Sequence, residues 1–333
     1  MRQPGNEVQP PGIQARPVVV LSRCLELEPV RYNQQVIPFS LVTALQPHVT
    51  FVPVCPEVEI GLGVPREPIR IALVKGEPRL LQPATGRDVT AEMDDFSARF
   101  LATTGEVDGF ILKSRSPSCG TKEVKVYASP EPGAAGVAKR AGLFAAAVQE
   151  RHPGLAIEDE GRLLNYEIRE YFLTRIFAFA ELRRVRASGA MAELVRFHAE
   201  HKLILLAYHQ GQMRALGRIV ANAEKRPFAE VVTAYQEGFR HALARPARHV
   251  ANINVLMHAL GYVSDGLSGN EKAFFLDMLE RYRARRLPLS SLLSVLRSWI
   301  LRFEVGYLAQ QRYLQPFPEE LQSLSDSGKG RPV

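Results

Sequence analysis

Short apolar runs that end in polar turns dominate the first half of the chain. The clearest runs are 17–22, 49–55 and 109–112, and they predict buried β-strands. The other elements predicted in this half are a short helix at 38–45, a hairpin at 69–82, helices at 88–104 and 138–151, and a strand at 155–160. The Gly- and Pro-bearing segments 56–68 and 119–138 are predicted to be loops. Strands that alternate with helices over such connections predict an α/β layered open sheet.

From residue 165 onward the pattern changes, and apolar residues recur at steps of three and four. This is the period of amphipathic helices, so the second half is predicted to be an all-α helical bundle. The predicted helices are 166–187, 191–223, 227–243, 249–260, 270–285 and 288–307, with the main loop at 261–269.

The change of pattern divides the chain into segments. An α/β domain is predicted at 17–163, a connecting helix at 164–189 and a helical domain at 190–320. The polar, Pro-containing segment 1–16 and the Ser- and Gly-rich segment 321–333 are predicted to be a disordered lead and a disordered tail.

Charge is unevenly distributed along the 333 residues, whose net charge is +7. Residues 1–160 contain 17 Lys and Arg against 19 Asp and Glu, whereas 161–333 contain 25 against 16. A basic half joined to a near-neutral half favours a polyanion-binding module, although an Arg-rich solvated helical surface would have the same composition. No apolar run approaches the roughly 20 residues that span a bilayer, and the N-terminus lacks a signal-peptide core, so a cytoplasmic protein without membrane contact is expected.

The three cysteines occupy similar local settings. Cys55 ends the apolar run 49–55, and Cys24 and Cys119 follow the runs 17–22 and 109–112. If those strands are parallel neighbours, the thiols meet at their carboxyl ends, where open α/β sheets bind ligands. The spacing matches neither a zinc finger nor a compact ferredoxin motif, and buried incidental thiols remain an alternative. Thiolates are soft ligands that suit zinc, copper(I) or an iron–sulfur cluster.

Polar residues beside the cysteines are candidates for chemistry. Glu57 could act as a general acid or base, and the Ser116 hydroxyl could hold a water or a substrate oxygen. An exposed loop glutamate and a turn serine are the ordinary alternatives. The candidates for substrate binding near the same strand ends are Arg31, Tyr32, Lys113, Ser114 and Arg115.

The residues around the cysteines resemble a known family. The motifs are Ser22-Arg-Cys24, Val30-Arg-Tyr32, Cys55-Pro-Glu57, Gly61, Pro65-Arg66 and Leu112-Lys-Ser-Arg-Ser-Pro-Ser-Cys-Gly120. Together they resemble the thiouracil desulfidase family over about residues 17–163. The resemblance implies that Cys24, Cys55 and Cys119 bind a 4Fe-4S cluster that has one open iron. It also implies that Glu57 and Ser116 are the catalytic pair.

The second half resembles a small helical domain that is often fused to that family. The matching residues are Phe197-His198, His201-Lys202, Leu216-Gly217, His258, Gly261-Tyr262, Glu271-Lys272, Tyr282-Arg283 and Trp299. The fused form is similar to bacterial desulfidases that convert 4-thiouridine in tRNA to uridine and release sulfide, which implies tRNA as a partner. The RNA-binding candidates are Arg183, Arg184, Arg186, His198, His201, Lys202, Arg214 and Arg218.

Along the helix predicted at 191–223, His198, His201 and Lys202 are spaced to share one face. Packing inside the bundle is the alternative for the two histidines. Two further functions stay open at this point. One is a desulfidase of free thiopyrimidines, in which the helical domain serves assembly or stability. The other is a non-catalytic RNA-binding protein with a structural zinc on three thiols and a histidine.

Overall fold

The computed structural model describes residues 15–322 and Asp326. The predicted disordered lead lies outside the described residues except for 15 and 16, as does the predicted tail except for 321, 322 and 326. The described chain forms two compact units, one of residues 16–180 with 318–322 and one of residues 181–317. The boundary at 180/181 falls inside a long helix, Tyr166–Ser188, that the sequence pattern predicts at 166–187.

The first unit is an α/β structure, as the sequence predicts. Its strands are β1 (Val18–Ser22), β2 (Thr50–Val54), β3 (Arg70–Val74), β4 (Glu77–Gln82), β5 (Arg87–Asp88), β6 (Gly109–Leu112), β7 (Val124–Tyr127), β8 (Gly136–Arg140) and β9 (Ala156–Asp159). Its helices are α1 (Ser40–Leu45), α2 (Pro56–Glu59), α3 (Thr90–Thr103), α4 (Leu143–Arg151) and the first part of α5 (Tyr166–Ser188).

A four-stranded sheet of order β2-β1-β6-β9 carries the cysteines. All of its pairings are parallel, with Ser22 opposite Val54 and Leu21 opposite Ile111. The expectation that the three cysteine-bearing strands are parallel neighbours is therefore confirmed. Every residue of β6 is buried, as is usual for the central strand of a sheet that is covered on both faces.

A second, five-stranded sheet of order β5-β4-β3-β7-β8 was only partly expected. The hairpin at 69–82 is confirmed as β3 and β4. The predicted loop at 119–138 is wrong in part, because β7 and β8 form an antiparallel hairpin there, and α4 begins at Leu143 rather than at 138. Val124 and Val126 are buried on either side of exposed Lys125, which is the alternation of a half-buried strand. The predicted loop at 56–68 likewise begins with α2, where Pro56 occupies the first helical turn.

The second unit is all-α. Its helices are the end of α5, then α6 (Met191–Glu200), α7 (Lys202–Ala221), α8 (Phe228–Ala242), α9 (His249–Val263), α10 (Gly269–Arg283), α11 (Leu289–Arg302) and α12 (Gly306–Ala309). The Ser268 hydroxyl accepts from the Glu271 backbone N–H in a capping box, which starts α10. No helix in the described part of the chain is both long and apolar enough to cross a membrane.

Three predictions for the helical unit differ from the structure. The single helix predicted at 288–307 is wrong, because α11 ends at Arg302 and α12 begins separately at Gly306. The single helix predicted at 191–223 is wrong, because the chain leaves helical geometry at His201 and kinks again at His209. His201 is buried, and its ring stacks on Phe197 with 3.9 Å between ring centroids. The apolar period continues across the break because both flanking helices bury residues in the same core. The loop expected at 261–269 is also shorter than predicted, since α9 runs on to Val263.

Candidate active site

The three thiols meet where the parallel strands end. Cys24 lies two residues beyond β1, Cys55 directly follows β2 and caps the N-terminus of α2, and Cys119 follows β6 after a six-residue loop. All three are buried, and all three line one cavity of ≈ 340 Å³. The topology therefore brings together side chains that stand far apart in the sequence.

Burial controls the protonation of these thiols. Burial, together with the nearby Cys55, raises the pKa of Cys24 to about 12. Burial also raises the pKa of Cys55 and that of Cys119. A buried thiol of this kind stays neutral until a cation stabilises the thiolate, so a bound metal centre would deprotonate it.

The Glu57 carboxylate lies in the same cavity and is held on both oxygens. Arg66 donates to Oε2 from Nε at 3.0 Å and from Nη2 at 2.7 Å. Ser118 donates to Oε1 at 2.7 Å, and Ser116 donates to it at 3.3 Å. A carboxylate with this many partners has a fixed position, which a group that handles a proton during the reaction needs.

Arg66 is itself locked in place. Its side chain is 4% exposed, and its Nη1 donates to the carbonyl oxygens of Val30 and Gly63, both at 2.9 Å. A guanidinium satisfies these acceptors at once because its donors point in fixed directions. Through the bond to Val30, Arg66 ties the segment after β2 to the loop after β1, and both segments carry a cysteine.

The loop between β6 and β7 is seated on the start of α4. The backbone N–H of Leu143 donates to the Pro117 carbonyl at 3.1 Å, and that of Ala145 donates to the Ser118 carbonyl at 3.0 Å. A Cβ on Gly142 would lie 2.5 Å from the Ser118 carbonyl oxygen, so only glycine permits this approach. These contacts hold Ser116 and Cys119 against the cavity.

The Ser116 hydroxyl organises the turn that presents Cys119. It accepts from the backbone N–H of Cys119 at 3.1 Å and from that of Ser118 at 3.3 Å. Its oxygen also lies 2.9 Å from the Ser118 hydroxyl. Ser116 thus links the position of one thiol to the position of the Glu57 carboxylate.

Lys113 and Ser114 also line the cavity, and both bind Glu160. The Ser114 backbone N–H and hydroxyl donate to the Glu160 carboxylate at 2.6 and 2.7 Å, and the Lys113 ammonium pairs with it as well. The Lys113 backbone N–H donates to the Ser22 hydroxyl at 2.9 Å. These contacts hold Lys113 and Ser114 in fixed positions in the cavity wall.

The other predicted substrate-binding residues lie at the rim of the cavity. Arg31, Tyr32 and Arg115 all line it. The Arg31 guanidinium lies 5.4 Å from the centre of the Tyr32 ring, and Arg115 adopts a positive φ of 57° in an exposed position. A cation and an aromatic face at the mouth of a cavity suit a flat heterocycle.

Three residues of this site were missed by the sequence analysis as functional residues. Ser118 and Arg66 fix Glu57, and Glu160 fixes Lys113 and Ser114. Arg66 and Ser118 lie within the motifs that carry the family resemblance, so their positions could have been proposed. Nothing in the pattern distinguishes Glu160 from other acidic residues, because its role depends on β9 lying beside β6.

The RNA-binding candidates are scattered over the second unit. Lys202, Arg214 and Arg218 are exposed on α7. Arg184 pairs with Glu181 and Glu193, Arg186 donates to Gln236 at 3.1 Å, and Arg183 is half-buried. His198 lies 3.1 Å from the Tyr235 hydroxyl and is also half-buried.

His201 departs from the expectation. The prediction that His201 shares a helix face with His198 and Lys202 is wrong, because α6 ends at Glu200 and His201 lies outside helical geometry. In addition, His201 is only 2% exposed. Its Nδ1 lies 2.9 Å from the Phe197 carbonyl oxygen. Burial and the nearby Arg312 lower its pKa to about 3. The neutral ring belongs to the core of the helical unit and does not face a solvent-borne phosphate.

The cavity suits a thiol-bound metal group by the chemistry of its donors. Three thiols converge on it, and they are the soft ligands that iron–sulfur clusters use. Among residues 15–322 and 326, no group of three or more His, Cys, Asp or Glu side chains is placed to hold a single metal ion. No histidine occurs among the described residues that line the cavity.

Fold and site together define the class of this protein: an α/β domain with a thiol-lined cavity at the carboxyl edge of a parallel sheet, followed by an all-α unit. A family model described as 2-thiouracil desulfurase matches residues 19–160. A second model, described as a protein of unknown function (DUF1722), matches residues 202–318. The chain belongs to the 2-thiouracil desulfurase family, and residues 19–160 form a desulfidase domain of the thiouracil type.

Similar proteins cover each half. The uncharacterized protein YbbK of Bacillus subtilis (strain 168) is 33% identical over 111 residues, which is 31% of this chain and 74% of that protein. The uncharacterized protein YbgA of Escherichia coli (strain K12) is 29% identical over 158 residues, 47% of this chain and 93% of that protein. A solved structure named as the [4Fe-4S]-dependent thiouracil desulfidase TudS is 28% identical, covers 44% of this chain and 93% of its own, and superposes with a TM-score of 0.34.

Proposed function

We propose that this protein is a 4Fe-4S-dependent, non-redox desulfidase that converts 4-thiouridine in tRNA to uridine and releases sulfide. One observation carries the proposal: Cys24, Cys55, Cys119, Glu57 and Ser116 all line a single cavity in a domain of the desulfurase family. The cavity thus contains soft metal ligands together with a carboxylate and a hydroxyl. The proposed replacement of sulfur by oxygen uses the metal ligands to hold the cluster and the two polar groups to handle water.

The three cysteines are the proposed cluster ligands. Three thiolates leave one of four irons without a protein ligand, and an open coordination position is typical of catalytic metal centres. When bound, the cluster would supply a Lewis acid for the thiocarbonyl sulfur. Because the buried thiols are neutral in the free protein, binding the cluster requires that they release their protons.

Glu57 is the proposed acid–base residue. Its Oε1 accepts from both Ser116 and Ser118, so a water held by the Ser116 hydroxyl would lie within reach of this carboxylate. Glu57 takes a proton from that water as the new C4–O bond forms. The C4–S bond then breaks, the water oxygen stays on the base as the carbonyl, and sulfur leaves as sulfide with the protons of water. No electrons are transferred.

The basic second half supports tRNA as the partner. Residues 161–333 carry 25 Lys and Arg against 16 Asp and Glu, and Lys202, Arg214 and Arg218 are exposed along α7. Phosphate contacts of this kind bind nucleic acid without regard to sequence and weaken as salt rises. A target base must leave its stack to enter a cavity, as for other enzymes that modify a base.

Turnover on two substrates tests the proposal. The protein is isolated anaerobically, reconstituted with iron and sulfide, and incubated with tRNA that contains 4-thiouridine or with free 4-thiouracil. Digestion and chromatography then measure loss of thionucleoside and gain of uridine. Conversion in tRNA, together with iron and acid-labile sulfide in the protein, supports the proposal.

Other results would favour the alternatives. Conversion of free thiouracil without conversion of tRNA would make the protein a desulfidase of free thiopyrimidines. Zinc without acid-labile sulfide, together with RNA binding and no turnover, would favour the non-catalytic protein. That alternative needs a histidine as the fourth ligand, and the described lining of the thiol cavity provides none.

A further inference from the structure

A second cavity lies beside the thiol cavity in the first unit. Its volume is ≈ 570 Å³, and it shares Ile69, Arg115 and Pro117 with the thiol cavity. Its remaining walls come from β3, β7 and β8 of the five-stranded sheet, a part of the fold that the proposed chemistry does not use. Arg115 is therefore placed to contact a molecule bound in either cavity.

This second cavity is strongly basic. Four cationic side chains line it, and Glu123 is the acidic residue among its lining residues. Glu123 is already paired with Lys139, and within the described chain Arg70, Arg115 and Lys125 form no ion pair with a carboxylate. Three positive charges are thus left to attract an anion.

The strand register places like charges together. Lys125 on β7 lies directly opposite Lys139 on the edge strand β8. Like charges that face each other across an antiparallel pair are destabilising, and the Glu123 contact relieves only one of them. A bound anion would offset the remaining repulsion between Lys125 and Lys139, so this arrangement favours the binding of an anionic ligand.

Arg70 is prepared for binding in a different way. It precedes β3 residue Ile71, which pairs with Val126 of β7, and its guanidinium lies 5.0 Å from the centre of the Tyr127 ring. Stacking on an aromatic face does not use the N–H donors of the guanidinium, which lie in the plane of the group. That planar set of donors matches the oxygens of a phosphate.

We infer that this second cavity binds the phosphodiester backbone of the RNA strand next to the nucleotide whose base enters the thiol cavity. Arg70 and Lys125 are its proposed phosphate contacts, and Arg115 lines both cavities. The inference rests on the proposed function for its ligand. It extends that function by placing an RNA contact in the desulfidase domain itself, separate from the helical unit.

An RNA strand fits the observations better than a small free anion. The unpaired cations are spread over two neighbouring strands and a loop instead of surrounding one point, and the cavity shares part of its wall with the one proposed to receive the base. An extruded nucleotide carries its flanking phosphates with it, so they must lie close to wherever its base is bound.

Equilibrium binding tests the inference without depending on turnover. The full-length, cluster-reconstituted protein is titrated with an unmodified tRNA transcript between 50 and 300 mM salt. The variants are Arg70→Gln, Lys125→Gln and the double variant. Lys75→Gln is the matched control, because Lys75 is exposed in the β3–β4 turn of the same sheet and does not line the cavity. Iron content and the denaturation midpoint check that each variant is intact.

The expected effect follows from counterion release. Each lost phosphate contact removes about 0.7–0.9 from the slope of log K against log salt, which is about four- to fivefold in affinity at 0.15 M salt. The double variant is therefore expected to bind about twentyfold more weakly and to show a slope lower by about 1.5. Lys75→Gln is expected to bind as the wild type does.

The outcomes separate this inference from the proposed function. Equal weakening by Lys75→Gln and by the cavity variants would indicate general charge attraction and overturn the inference. Unchanged binding in the intact double variant would overturn it as well. If the wild type fails to desulfurate tRNA while the cavity variants still lose affinity as expected, the phosphate site stands and the proposed reaction falls.

Discussion

The Ser118 hydroxyl donates a 2.7 Å hydrogen bond to Oε1 of Glu57 from a position with no solvent exposure. Its oxygen also lies 3.8 Å from the Cys119 sulfur. One buried serine thus contacts both the proposed acid–base residue and a proposed cluster ligand. Its part is to position these groups, since the neighbouring Ser116 is the less buried hydroxyl.

Ser118→Ala is expected to lower turnover by about ten- to a hundredfold, because Glu57 loses its shorter hydroxyl donor and its position becomes less fixed. The loss of a buried hydrogen bond is expected to reduce the free energy of unfolding by about 1–2 kcal/mol. Turnover and denaturant titration measure the two effects. Ser97→Ala is the control, since Ser97 is equally buried in α3 but bonds only the Met93 carbonyl. A similar activity loss in both variants would mean that Ser118 acts only through stability.

Glu57→Gln tests the acid–base role. The amide keeps the shape of the carboxylate but cannot take a proton, so turnover is expected to fall by about 10²–10⁴-fold. Iron and sulfide content are expected to stay at the wild-type level, because Glu57 is not a proposed ligand. Glu59→Gln, at an exposed glutamate in the same short helix, serves as the control. Activity within tenfold of the wild type would remove Glu57 from the mechanism.

Arg66→Gln breaks the ion pair that holds Glu57. Both side chains are largely buried, so the unpaired carboxylate is expected to lower the free energy of unfolding by about 3 kcal/mol. Arg79→Gln breaks the exposed pair with Asp88 and is expected to change stability by less than about 1 kcal/mol. Urea denaturation measures both. Equal small changes would show that the buried ion pair does not stabilise this part of the fold.

The three cysteines are expected to act as a set. Replacing any one of Cys24, Cys55 or Cys119 by alanine is expected to remove most of the iron, the acid-labile sulfide and the activity together, because these are the chain's three cysteines. Metal analysis and turnover are measured on the same anaerobic samples. A variant that retains full iron and sulfide would show that its cysteine is an incidental buried thiol.

The buried His201 is expected to make the stability of the helical unit depend on pH. Its pKa is lowered to about 3 in the folded protein, whereas an unfolded histidine titrates near 6.5. The unfolded state therefore binds the extra proton first, and stability that is present above pH 6.5 is lost as the pH falls from 6.5 towards 3. The expected slope approaches about 1.4 kcal/mol per pH unit.

His201→Gln is expected to be less stable at pH 7.5 but to have a flatter dependence between pH 6.5 and 4.5. Denaturant titrations at several pH values, followed by far-UV circular dichroism, measure this. His258→Gln provides the comparison, since that histidine is exposed on α9. An unchanged slope in His201→Gln would assign the acid sensitivity to other groups, of which His198 is a candidate because burial lowers its pKa as well.

The sequence by itself determined the class of fold, the position of the three thiols relative to their strands, and the helical second half. Strong apolar runs and a sustained helical period have few alternative structures, so the main strands and helices could be predicted. The hairpin of β7 and β8 and the break at His201 could not. The first depends on pairing with β3, and the second on where two helices share a core.

Only the tertiary structure decided which polar residues act together. Glu57 and Ser118 are 61 positions apart, and Lys113 and Glu160 are 47 apart, yet each pair is in hydrogen-bond contact. Such contacts follow from the strand order β2-β1-β6-β9, which a linear pattern does not encode. The basic cavity has the same origin, since Arg70, Arg115 and Lys125 become neighbours only when β3 pairs with β7 beside the loop that follows β6.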